Sequence, residues 1–288
     1  MSVLEGLGLP PLPEALPRRV IDNHTHLFST ADYSGLPVDD SLRLAAQVNV
    51  TRVIEVGCDV DDASSAVDLA SRNPQVRAAV ALHPNDAARR FAAGGEEALA
   101  DDLAAIQDLV DRDEVVAVGE TGLDYFRTPQ GIGREIQERA FRAHIGWARS
   151  AGKTLMIHDR DAHDDVLRVL DDEPLPERVV MHCFSGDADV ARQFVDRGCW
   201  LSFPGVVTFG SAGALREAAL ATPADRLLVE TDAPYLTPKP RRGKANAPYL
   251  LPHTVTFLAD LLGMDLAEFC DLTVANTFAA YGEWGTDA

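Results

Sequence analysis

The stretch Val115-Val116-Ala117-Val118-Gly119-Glu120 is a short, β-branched apolar run that ends on a carboxylate, just where Thr121-Gly122-Leu123-Asp124-Tyr125 predicts a turn. A run of this length and composition reads as a strand buried on both faces. Similar runs recur at 20–22, 53–56, 76–81, 154–157, 179–181, 200–203 and 227–229. Between them apolar residues recur at helical spacing: Leu42, Ala45 and Ala46, then Leu99, Leu103, Ile106 and Val110, then Ile136, Ala140, Phe141, Ile145 and Ala148. Each such stretch presents an apolar stripe that can cover a sheet. Eight strands alternating with helices predict an α/β fold, a closed (β/α)8 TIM barrel rather than an open doubly wound sheet. No Gly/Ser or Pro tract longer than a turn falls between Val20 and Asp232, so the chain 1–288 reads as one domain with its barrel at about 20–284. The Pro-rich segment 1–19 is expected to lie over the barrel as a lead-in, and 248–262 and 265–281 to supply closing helices.

Composition narrows the setting. With 46% hydrophobic and 25% charged residues the chain can bury a large core. Cys58, Cys183, Cys199 and Cys270 form no Cys-x-x-Cys pair, and the N-terminus lacks a basic stretch followed by an apolar one. No apolar run is long enough to span a bilayer. A reduced, cytoplasmic location without membrane insertion is expected. The formal charge of -19 repels polyanions on average, so any phosphate binding must be local. Acidic pairs such as Asp61-Asp62, Glu96-Glu97 and Asp171-Asp172 read as a solvated surface without chemistry.

In a barrel, chemistry gathers at the C-terminal strand ends. His24 and His26 leave the first run one residue apart, so a two-residue period turns both imidazoles to the same side. Glu120 ends the fourth run; buried and unpaired it would be costly, and a bridging position between two cations, or a salt bridge, removes that cost. His158 and His182 directly follow the fifth and sixth runs, and Asp232 follows the eighth, where it can ligate a metal or accept a proton from water. Five of the eight histidines, these four and His83, stand at strand ends, and that concentration favours one shared polar centre. His144, His163 and His253 fall in helical stretches and read as structural.

These residues lie in phrases that resemble the TatD family of metal-dependent deoxyribonucleases, a branch of the amidohydrolase-type barrels. The phrases are IDNHTHL, ALHP, VGETGLDY, MIHDR, MHCFSG, LSFPG, ETDAPYL and RGKANAP, in the family's order from residue 20 onward. The resemblance implies that His24, His26, Glu120, His158, His182 and Asp232 hold two divalent metal ions, with Glu120 bridging. Imidazole mixed with carboxylate suits Zn or Mn at least as well as Mg. Two departures stand out: Phe28 and Ala247 occupy positions where family members often carry Asp and Glu.

The resemblance also implies a substrate, DNA, entering the barrel mouth as a single strand or frayed end, and a 3′–5′ exonuclease type of cleavage. Two cations suit phosphodiester hydrolysis because they activate water and neutralise charge on the phosphate. Asp232 is then the group that takes the proton of the attacking water and returns it to the leaving 3′ oxygen, and Glu120 holds the metals. His83 either donates to a phosphate oxygen or is a turn histidine. Arg160 either grips a flanking phosphate or pairs with Asp161. Ser185 precedes a helix expected near Asp187, and serves either an anion or a helix cap. Arg241, Arg242 and Lys244, with Lys239, concentrate positive charge close to Asp232 in an otherwise acidic chain and read as phosphate contacts. Tyr125, Phe184 and Tyr235 are loop aromatics able to stack on a base or simply to pack. The competing reading is an amidohydrolase or lactonase with the same dinuclear centre acting on a small molecule, because such a centre polarises carbonyl oxygen as well.

Overall fold

The computed structural model describes residues 3–284; the first two residues of the expected lead-in and the last four of the chain lie outside the described residues. Eight strands form one parallel sheet in sequence order: β1 (Val20–Thr25), β2 (Val50–Gly57), β3 (Val76–Val80), β4 (Val115–Asp124), β5 (Thr154–Arg160), β6 (Val179–Met181), β7 (Trp200–Phe203) and β8 (Leu227–Val229). Each is followed by at least one helix, so the fold is the expected (β/α)8 barrel. The strands are apolar because both faces are covered: Ile54, Val118, Leu155, Ile157, Leu201 and Leu228 are fully buried, each contributing roughly 1.5–3 kcal/mol of transfer energy.

The described residues fall into two compact units, one of 3–55, 186–192 and 201–279, the other of 56–185, 193–200 and 280–284. In the first unit, Thr25 at the end of β1 bridges to Ala233 beyond β8, and the two chain segments exchange amide bonds there. The lead-in carries a short helix, Val3–Leu7, and then an extended run. Asn49 Nδ2 donates to the Leu16 carbonyl (2.5 Å) and Tyr249 Oη to the Pro10 carbonyl (2.9 Å), which fastens this proline-rich segment without ladder bonds. The closing helices are Leu251–Leu262 and Leu266–Tyr281. Among the described residues no single helix is long and apolar enough to cross a membrane.

In the second unit the turn expected at Glu120 is absent. Strand β4 runs on to Asp124 and stays paired with β5, because a bulge absorbs the irregularity: Val118 pairs with Leu155 but Thr121 with Ile157, three residues against two. Two glycines permit the close approach. A Cβ on Gly119 would run into the Cβ and carbonyl oxygen of Met156, and one on Gly122, held at φ +134°, would meet the carbonyl oxygen of His158. Strand β1 carries a similar irregularity against β2, between Asp22 and Thr25. Both bulges fall on residues that carry chemistry.

Candidate metal centre

In the first unit the end of β1 and the segment after β8 are laced together. The Asp232 amide donates to the His24 carbonyl and the His26 amide to the Ala233 carbonyl, both at 2.9 Å. This places Oδ1 of Asp232 at 3.7 Å from Nε2 of His24 and 3.6 Å from Nε2 of His26, whose Nε2 atoms are 3.1 Å apart. Two donors on one tetrahedral zinc at about 2.0–2.1 Å stand roughly 3.3 Å apart. The triad therefore fits a single divalent cation in both donor chemistry and spacing.

Residues that the sequence reading passed over hold this triad. Asp22, fully buried, accepts from the amide (2.8 Å) and hydroxyl (2.6 Å) of Thr231, so it pins the residue just before Asp232. Burial pushes its carboxyl up to about 8, helped by the neighbouring Glu230 and opposed by the Thr231 bonds. Glu55 accepts from the Leu27 amide at 2.7 Å and the Phe28 amide at 3.5 Å, satisfying the first turn of helix Leu27–Ser34 immediately after His26. The signal for both was in the sequence: a carboxylate inside an otherwise apolar strand run.

In the second unit one oxygen of Glu120 gathers three imidazoles. Oε1 lies 2.5 Å from Nδ1 of His158, 2.8 Å from Nε2 of His182 and 3.5 Å from Nε2 of His83. Oε2 accepts from the Cys58 thiol at 3.8 Å. Burial of Glu120 opposes its charge, but His182, His83 and His158 outweigh it and hold the carboxyl well below its ordinary range. His158 responds in kind: burial lowers its basicity, while Glu120 and Asp124 raise it to about 9. The donor set, one carboxylate oxygen facing several imidazole nitrogens, fits a divalent cation, with hydrogen bonds now at the shortest separations.

His83 is the N-cap of helix Pro84–Val110, and its Nδ1 accepts from the Asn85 amide at 3.1 Å. The proton of the neutral ring therefore sits on Nε2, the nitrogen aimed at Glu120. His83 thus caps the helix through Nδ1 and turns its other nitrogen toward Glu120.

Other expectations resolve differently. Phe184 is a core residue, 3% exposed and edge-on to Phe194, because the chain beyond His182 turns it inward, so it is not available to stack on a base. Tyr125 has one face covered by the Arg134 guanidinium at 3.8 Å and donates its hydroxyl to Asp165. Arg160 lies over the exposed Phe126 ring at 4.0 Å instead of pairing with Asp161. Ser185 is exposed, and the cap of helix Ala188–Asp196 is Asp187, whose Oδ1 accepts from the amides of Asp189 and Val190. Tyr235 is 57% exposed. The basic loop returns beside Asp232, because Asn246 donates to the carbonyls of Thr231 (2.9 Å) and Tyr235 (2.7 Å). Within it Lys239, Arg242 and Lys244 are exposed and Arg241 is half-buried, and the Arg242 guanidinium lies 4.4 Å from the Phe209 ring.

His144 is buried in the second unit, bonded to Leu82 and Thr121, and is structural as expected. None of the four cysteines is in a disulfide.

Known proteins resemble the chain over most of its length. The family model described as "TatD related DNase" matches residues 21–282. The metal-dependent hydrolase TatD of Mycobacterium tuberculosis is 43% identical over 267 residues, covering 91% of this chain and 98% of that protein. The metal-dependent hydrolase YcfH of Escherichia coli is 36% identical, covering 89% and 93%. Among solved structures, the TatD homologue YjjV of Escherichia coli superimposes with a TM-score of 0.80 at 28% identity, covering 91% of this chain and 98% of that one. With eight ordered strands, two imidazole–carboxylate clusters and these relatives, the chain belongs to the TatD family of metal-dependent hydrolases.

Proposed function

We propose that this hydrolase is a deoxyribonuclease that trims single-stranded or frayed DNA from the 3′ end with two divalent ions. The observation that carries the reading is the presence of two donor clusters, His24, His26 and Asp232 in one unit and Glu120 facing His158 and His182 in the other. The family resemblance supports a bridging role for Glu120. When bound, the cations supply Lewis-acid polarisation of the phosphate and activation of water.

The remaining work belongs to side chains of the chain itself. Asp232, partly exposed beside its two histidines, takes the proton of the attacking water and returns it to the leaving 3′ oxygen in this reading. His83 offers its Nε2 proton to a non-bridging phosphate oxygen. Lys239, Arg242 and Lys244 supply local positive charge against the net -19, and exposed Tyr235, three residues after Asp232, offers a stacking face. Arg160, Tyr125 and Ser185 in the second unit and Arg241 in the first are further substrate contacts in this reading.

End-labelled single-stranded DNA incubated with the Mg-, Mn- or Zn-reconstituted protein tests the proposal, with Asp232→Asn as control. Shortening of the strand from its 3′ end is expected; no cleavage with any of the three ions removes the idea. A second reading, an amidohydrolase or lactonase acting on a small substrate, is favoured by the strongly acidic chain and by the engagement of Arg242 with Phe209. Arg242→Ala and Lys244→Ala separate the two. A nuclease loses salt-dependent DNA cleavage in these variants, whereas a lactonase keeps its turnover of an uncharged ester.

A further inference from the structure

A closed ring of buried polar side chains stands behind the second cluster. Its members are Asn85, Asp124, Thr128 and Gln137, all 8% exposed or less. Its polarity can be read without ambiguity because it starts from a backbone amide, which can only donate. The Asp124 amide donates to Gln137 Oε1 at 3.0 Å, so the other end of that amide, Nε2, must donate, and it does so to Thr128 Oγ1 at 2.8 Å. The Thr128 hydroxyl passes its proton on to Asn85 Oδ1 at 3.1 Å, which leaves Asn85 Nδ2 to donate to Asp124 Oδ2 at 2.7 Å. The other carboxylate oxygen of Asp124 accepts from the Arg127 amide at 2.8 Å.

Two active-site histidines touch this ring. Oδ2 of Asp124 lies 3.3 Å from Nε2 of His158, whose other nitrogen faces Glu120. The backbone amide of Asn85 meets Nδ1 of His83. We propose that Asp124 and Asn85 are positioning residues that set where the proton sits on both rings. His158 is held with its proton on Nε2, toward Asp124, so that Nδ1 is the ligating nitrogen; His83 is held with its proton on Nε2, so that it donates and does not ligate. A carboxylate behind a ligating imidazole fixes ring orientation and raises its basicity, and losing such a partner typically weakens metal binding about 10–100-fold. The inference rests on the second cluster being a metal site, and not on which substrate is cleaved.

A swap distinguishes positioning from mere support of the fold. In Asp124→Asn alone, the new amide meets Asn85 Nδ2 donor to donor, so both stability and zinc affinity are expected to fall. In the double variant Asp124→Asn with Asn85→Asp the ring is satisfied again: residue 85 accepts from Thr128 and from the new amide, and the carbonyl oxygen at 124 still accepts from Arg127. The group facing His158 Nε2 has nevertheless changed from acceptor to donor. The melting temperature of the metal-free double variant is expected to recover toward wild type, while zinc affinity, measured by competition with a chelating dye, stays about 10–100-fold weaker. Long-range 15N–1H spectra of the zinc-loaded wild type are expected to show His158 protonated on Nε2, and those of the double variant are not. Unchanged zinc affinity in the double variant, or a wild-type His158 that binds zinc through Nε2, overturns the positioning role. A wild-type chain that takes up no zinc overturns the metal reading itself and this inference with it.

Discussion

The backbone amide of Asp232 donates to the carbonyl of His24, and the carboxylate of the same aspartate stands 3.7 Å from the imidazole of the same histidine. The main-chain bond sets the side-chain contact, so a change of side chain leaves the scaffold in place. Asp232→Asn is therefore expected to keep the melting temperature of the metal-free protein and to lower kcat for hydrolysis by about 10²–10⁴-fold, the range for loss of a group that moves a proton. Circular dichroism melts and single-turnover rates on the two proteins check this. Equal rates would remove Asp232 from the chemistry.

Removal of metal acts on both clusters, and protons compete with it at the second. His158 is driven up to about 9 and Glu120 is driven down, so in the metal-free protein at pH 7 the imidazole is protonated and the carboxylate is not. A cation must displace that proton. Its affinity for the second cluster should rise with pH up to about 9, and uptake at pH 7 should release a proton into the buffer. Calorimetric titrations of the chelator-treated protein in buffers of different ionisation enthalpy measure the release, and Glu120→Gln, which removes the charge that raises His158, should abolish it.

The barrel was legible because strands in a parallel sheet are apolar on both faces and short, so that eight runs could be counted directly. The residues of the two candidate clusters were legible because they stand at or just beyond the C-terminal ends of such runs. What the sequence concealed follows from backbone detail. A simple two-residue period aims His24 and His26 alike, yet β1 and β4 both carry irregularities at their ligands, and these depend on pairing with a neighbouring strand. Asp22 and Glu55 sit inside apolar runs, where a single charged residue reads as noise until its partners, Thr231 and the amides of Leu27 and Phe28, come from elsewhere in the chain. Phe184 looked like a loop aromatic only because nothing local showed that Phe194 receives it.

Gly119 tests the bulge. An added methyl meets the backbone and Cβ of Met156, neither of which is the flexible end of a side chain. Gly119→Ala should destabilise the protein by about 1–3 kcal/mol and, by pushing β4 away from β5, carry Glu120 off its histidines. The expected result is a lower denaturation midpoint with reduced metal content after reconstitution. Alanine at position 146, inside helix Ile132–Ala151 where a Cβ meets nothing within 4 Å, is the control that should not lower the midpoint and should leave the metal content unchanged. A fully metallated Gly119→Ala protein would refute the packing argument.

His144 gives the chain a sensitivity to acid that is independent of the metal centre. Its Nε2 accepts from the Leu82 amide at 3.2 Å, and its Nδ1 lies 2.9 Å from the Thr121 hydroxyl, so the ring serves the fold as a neutral acceptor. Burial pushes it down to about 4 from an ordinary 6.5, against a weaker upward pull from the Ala140 carbonyl. The unfolded chain binds this proton as pH drops below 6.5 and the folded chain does not until about 4. Stability from this group is therefore complete above 6.5 and is progressively lost as pH falls toward about 4, by on the order of 3 kcal/mol in all. Urea melts of metal-free protein across that window should show the decline. His144→Gln, which can accept from Leu82 and donate to Thr121 but does not titrate, should flatten it. If the variant and the wild type decline in parallel, the acid sensitivity resides in other groups and His144 is not its source.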